Sequence, residues 1–195
     1  MAHTYTAFSG ARRLVTGSLE AVAVAARRVC ESGETGVLIF SDATGSQIDL
    51  DLRGSEQDVS RRYRTRAAIQ QEAVPRGRGR PRLGVVSREV TLLPEHWEWL
   101  ASQPGGASVA LRKLVQQARR DGSGRDRLRR AQERAYKVMV AIAGDRAGFE
   151  EATRALFADD PQALRARIEG WPPDIREHVL KLADPDYDPS SRSSE

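Results

Sequence analysis

The densest run of chemically committed side chains is Arg76-Gly77-Arg78-Gly79-Arg80-Pro81-Arg82. A guanidinium is a planar, permanently charged fork of donors that matches phosphate oxygens. The glycines and the proline hold such a segment extended and keep bulk away from a ligand. A strand of this kind can lie in a narrow DNA minor groove, where concentrated negative potential attracts arginine. It can equally bind phosphates without sequence preference, through counterion release. Either way Arg78, Arg80 and Arg82 are the candidate contacts.

Other chemistries find no footing. There is no Gly-rich phosphate loop followed by Lys-Ser/Thr, no nucleophile elbow and no His-Glu-x-x-His. His3, His96, His178 and the single Cys30 have no zinc-site spacing. One cysteine also excludes an intramolecular disulfide. Cys30 reads as a small core residue, since no base stands near it in sequence. Glu150-Glu151 and Asp159-Asp160 are carboxylate pairs, but neighbours on a helix do not face each other. Asp160 before Pro161 reads as a helix cap. The expectation is a protein that is not an enzyme and holds no cofactor or metal.

The charge is unevenly spread. Across 195 residues, 31 Lys+Arg stand against 27 Asp+Glu, a net +4. Residues 1–60 carry −3, residues 61–130 carry +11 and residues 131–195 carry −4. The basic set is 28 Arg and 3 Lys. A GC-rich genome accounts for the residue type but not for its clustering. Sign asymmetry of this kind points to a polyanion, most often nucleic acid. No apolar run approaches the ~18–20 residues of a membrane span, so no membrane partner is expected. A reducing cytoplasm fits the cysteine usage.

Several elements must position these residues. Thr4–Ser9 and Arg12–Thr16 read as strands around Gly10. Ser18 caps a helix over Leu19–Glu31 that Gly33 stops. Val37–Ser41 is a β-rich run. Gln47–Leu52 alternates, with Ile48, Leu50 and Leu52 on one face. This is a ββαββ module over residues 1–54. Residues 55–84 form an Arg-rich linker that begins with helical propensity over Asp58–Glu72. Val85–Leu93 reads as a strand, and Pro94 opens a helix to about Gln103. Ser108 is placed to cap the next helix, with Leu111, Leu114, Val115 and Ala118 at helical spacing. Asp121–Gly124 reads as a break. Residues 125–183 then hold a long amphipathic helix and three shorter ones, Phe149–Ala158, Pro161–Glu169 and Asp174–Ala183. Residues 184–195 read as a disordered tail.

The strand and two helices over residues 85–120 resemble the ribbon–helix–helix family of DNA-binding dimers, the Arc, MetJ and CopG type. The resemblance lies in Val90-Thr91-Leu92-Leu93-Pro94, in Trp97 and Leu100, and in Gly106-Ala107-Ser108. It implies that two copies pair their strands into an antiparallel ribbon, whose outer face enters the major groove. Arg88 and Thr91 are the ribbon candidates, from the two possible registers. Ser108 and Val109 match the positions whose amides hold a phosphate in that family. Residues 76–82 resemble an AT-hook through Gly79-Arg80-Pro81 and its basic flanks. Residues 78–183 resemble an uncharacterised bacterial family, a domain of unknown function. That likeness rests on residues 79–86, Pro94–Ser108, Ala141–Gly148 and Gly170-Trp171-Pro172.

Together these readings predict an α+β protein with an N-terminal ββαββ module, a basic linker, a ribbon–helix–helix-like dimerisation block and a C-terminal α-helical segment. The expected function is DNA binding as a cytoplasmic homodimer, as a transcriptional regulator or nucleoid-type factor. The alternative is a protein–protein interaction adaptor that uses the acidic C-terminal helices and binds no nucleic acid.

Overall fold

A computed structural model of the chain describes residues 4–72 and 88–189. They form a mixed α+β structure with two compact units. One comprises residues up to 73 together with residues from 127 onward, and the other residues 74–126. The sequence divisions at 54, 84 and 120 cut the chain differently. The N-terminal sheet and the C-terminal helices share one core rather than forming separate modules.

In the larger unit, β1 (Tyr5–Ser9) pairs antiparallel with β2 (Arg12–Gly17) and with β3 (Val37–Ser41), in the order β2-β1-β3. Alternation along β1 sends Phe8 to one face and Ala7 to the other. The Ala7 face, with Ile39, packs on Val22 and Ala26 of α1 (Leu19–Glu31). Ser18 caps that helix by accepting from the Ala21 amide at 3.2 Å. The Phe8 face, with Phe40, packs into the C-terminal helices against Val138, Met139, Ile175 and Val179. A sheet buried on both faces cannot be an independent ββαββ module.

The fifth expected element, Gln47–Leu52, is not a strand. One isolated bridge joins Gln47 to Phe40, and the Ile48 amide donates to the Ile39 carbonyl. The period-two alternation is real, but Ile48, Leu50 and Leu52 are spent on α1 and on α2 (Glu56–Glu72) instead of on a ladder. Cys30, read as a core residue, is exposed near the end of α1.

The predicted break at Asp121–Gly124 is absent. One helix, α4, runs from Gly106 to Ala143. Its residues 127–143 belong to the larger unit and bury Ala131, Ala135, Val138 and Met139. Three helices follow: α5 (Phe149–Phe157), α6 (Pro161–Arg167) and α7 (Pro173–Ala183). Asp160 caps α6, accepting from the amides of Gln162 and Ala163. Two of the stretches that carry the bacterial-family resemblance meet here. Trp171 is buried, and its Nε1 donates to the Ala147 carbonyl at 3.0 Å.

A buried polar centre ties the unit together. The turn after β3 lies so close to α4 that a Cβ on Gly45 would overlap the Arg134 backbone, and Gly45 has φ 67°. Asp42, fully buried, accepts from the Thr6 hydroxyl at 2.8 Å. The Thr4 hydroxyl lies 2.9 Å from Asp42 Oδ2 and 2.9 Å from the Pro189 carbonyl. His178 Nε2 stands 3.9 Å from Asp42 Oδ1, too far for a hydrogen bond, and neither ring nitrogen has a protein partner. Burial is the main reason its pKa drops from 6.5 to about 4. Lys181 and Arg13 push the same way, against Asp42 and Glu177.

Arg134, also buried, donates from Nε to the Leu182 carbonyl and from Nη2 to the Asp184 carbonyl, both at 2.6 Å. It thereby satisfies carbonyls at the end of α7 that no helix can. Its guanidinium and the Lys181 ammonium both lie over the Tyr187 ring. The first six residues of the expected tail, 184–189, are thus held against the core. Charge and serine content pointed to a solvated tail, but backbone carbonyls and one tyrosine ring decide otherwise.

Candidate nucleic-acid interface

The smaller unit is short of core. Its α3 (Pro94–Ser102) opens with Pro94 at its first position and Glu95 in the first turn. The turn to α4 needs two left-handed residues, and Gly105 and Gly106 supply φ of 89° and 72°. Gly105 also passes close to Val109, whose Cβ would stand 3.1 Å from an added Cβ. Among the described residues of this unit, Leu100 and Ala110 are the buried hydrophobic ones.

Much larger apolar groups stay in water. Val90, Leu93, Trp97, Trp99, Leu114 and Val115 are all exposed, Trp99 at 52% and Val115 at 56%. Leu92, His96, Trp99, Leu100, Leu111 and Leu114 line an apolar groove of 260 Å³. Along α4, residues 112–119 are exposed all round the helix. A helical stretch without a packed face is marginal in water.

The predicted contact residues fall in three places. Arg78, Arg80 and Arg82 lie outside the described residues. Arg88 and Thr91 are exposed on the segment that enters α3. That segment was expected to be a strand, but the described residues 88–93 form none in the single chain. Ser108 and Val109 sit inside the first turn of α4, which begins at Gly106. Ser108 is therefore not the helix cap, because the two glycines have already turned the chain. Both positions still fall among the first amides of a helix, which lack intrahelical acceptors.

Arg112, Lys113 and Arg119 add basic charge that the predicted contact residues do not include. All three are exposed on the same helix. The Asp121–Gly124 stretch, which reads as a break, hid that these three and the basic run at 125–130 share one helix. In the larger unit the arginines are mostly matched. Arg28 pairs with Glu56 at 2.6 Å and Arg64 with Glu20 at 2.7 Å. The Arg64 hydrogen bond is the main cause that lowers the Glu20 pKa.

The bacterial family described as "Uncharacterized protein conserved in bacteria (DUF2239)" matches residues 4–183. The chain belongs to DUF2239. The match spans both compact units, so the sheet, the exposed apolar block and the C-terminal helices are all part of the DUF2239 pattern. No curated protein and no solved structure matches this DUF2239 chain. Among its described residues, no helix is long and apolar enough to cross a membrane, and no group of His, Cys, Asp or Glu could hold a metal ion.

Proposed function

We propose that this DUF2239 chain is a homodimeric DNA-binding protein, a transcriptional regulator or nucleoid-type factor that acts without catalysis. The observation that carries the reading is the smaller unit's surface. Exposed Trp97, Trp99, Leu114 and Val115 share it with exposed Arg112, Lys113 and Arg119. A second copy covers the apolar groups, and the cations of the two copies then add along one duplex.

On this reading, residues 85–93 of two copies pair as an antiparallel ribbon. Arg88 or Thr91 reaches the groove, according to the register. The amides of Ser108 and Val109 hold a phosphate at the start of α4. Arg78, Arg80 and Arg82 follow the backbone or minor groove beside the ribbon.

Fluorescence anisotropy with a labelled duplex, at low and at moderate salt, tests the reading. Binding should be tight at low salt and fall steeply with salt, and light scattering should give a dimer. A chain that binds no duplex at low salt ends the proposal.

A further inference from the structure

A second surface lies wholly within the larger unit and has the opposite chemistry. Helices α4 to α7 leave a cleft of 340 Å³. Its floor is aliphatic, with Leu128, Leu156, Leu164 and Leu180. Its rim carries Asp159, Asp160 and Asp184 against one cation, Arg165. One Asp160 oxygen accepts from the Gln162 and Ala163 amides and one Asp184 oxygen from the Asp186 amide, which holds both carboxylates in place.

The apolar surface continues beyond the cleft. Gln132, in the lining, donates from Nε2 to the Leu156 carbonyl at 2.9 Å. One turn further along α4, Tyr136 meets Phe157 edge-on, with ring centroids 5.4 Å apart. Tyr136, Phe157 and Val140 all remain exposed. Contiguous apolar surface rimmed by charge is the mark of a docking site. An extended segment can reach both the cleft and this exposed pair of rings, which favours a peptide.

We propose that this face of the larger unit docks a basic segment of a partner protein, which inserts a leucine-like side chain between flanking arginines or lysines. The leucine floor takes the aliphatic group. Asp159, Asp160 and Asp184 take the cations, with hydrogen bonds strengthened by charge. Duplex DNA is repelled from this rim by sign. The inference is therefore independent of the DNA-binding reading, and either can fail alone.

The test uses the full chain and three labelled hexapeptides followed by anisotropy. They are Arg-Arg-Leu-Leu-Arg-Arg, the same peptide with serine for leucine, and the same peptide with glutamate for arginine. The first should bind at least about tenfold more tightly than either other, because only it matches both floor and rim. The double variant D159N/D184N should weaken that binding several-fold and flatten its salt dependence. Asp159 has φ 56°, a backbone conformation asparagine tolerates well, so the variant keeps its fold. Unchanged thermal melting checks this. Equal binding of the serine peptide would reduce the surface to plain charge attraction and overturn the proposal. So would full affinity in D159N/D184N, or no binding of the first peptide up to about 1 mM.

Discussion

The larger and smaller units solve the problem of stability in different ways. The larger unit encloses its sheet on both sides and buries Phe8, Phe40, Met139, Ile168 and Ile175 completely. Two of its buried polar groups are engaged as deliberately, Arg134 on three carbonyls and Asp42 on two threonine hydroxyls. Among its described residues, the smaller unit buries a leucine and an alanine and leaves two tryptophans in water. Net stability is a small difference between burial and chain entropy. One unit has the burial to hold itself. The other, among its described residues, has little, and on the proposed reading a second copy supplies it.

The contrast breaks first, if it breaks, at the glycines. Gly45→Val should cost at least about 3 kcal/mol in urea unfolding, because the side chain meets the Arg134 backbone from a left-handed residue. Gly105→Ala in the smaller unit should cost only about 1 kcal/mol, since Val109 can shift. Equal losses would mean that the two units are built alike.

Next comes acid. An unfolded imidazole takes up its proton near 6.5, while that of buried His178 does so only near 4. The unfolded chain therefore binds more protons between those values. Stability is full above about pH 6.5 and falls with pH, by roughly 3 kcal/mol at pH 4. His178→Phe, which sits against Phe8 at the same place, should flatten that slope. An unchanged slope in urea unfolding at pH 4.5, 5.5 and 7 would put the acid sensitivity elsewhere.

Truncation separates core from interface. Ile175→Ala should lose about 3 kcal/mol of stability. Leu114→Ala should change unfolding by less than about 0.5 kcal/mol, while it raises the dimer dissociation constant by about tenfold. Sedimentation equilibrium reads the second effect, and a monomeric parent chain would contradict it. The smallest effect is purely ionic. R112Q/K113Q should leave melting unchanged and reduce the salt slope of DNA binding by about 2. A melting shift of several degrees would show these side chains to be structural.

The local grammar of the chain was readable from its sequence. Ser18, Pro94, Asp160 and Pro161 mark helix starts that the structure keeps, because a cap depends on its immediate neighbours. Gln47–Leu52 and Asp121–Gly124 were not readable. An alternating strip can serve a helix as well as a ladder, and Gly122 and Gly124 are carried by a helix continuing on either side. Tertiary roles were hidden altogether. Nothing in the neighbourhood of Arg134 marks it as the arginine that is buried among the described residues. For the candidate interface, residue types pointed to Arg88, Thr91, Ser108 and Val109. The exposed tryptophans and the cations of α4 needed coordinates, because exposure is a property of what else packs nearby.

The contact between Thr4 and Pro189 sets an order of events during synthesis. The strands of the sheet leave the ribosome first, yet Phe8 and Phe40 have no cover until α4 to α7 have followed. The acceptors for Arg134, at Leu182, Asp184 and Tyr187, come at the end of α7 and after it. The larger unit can therefore close only after residues 182–189 have been made, and its aromatic face is exposed to chaperones or to neighbouring nascent chains until then.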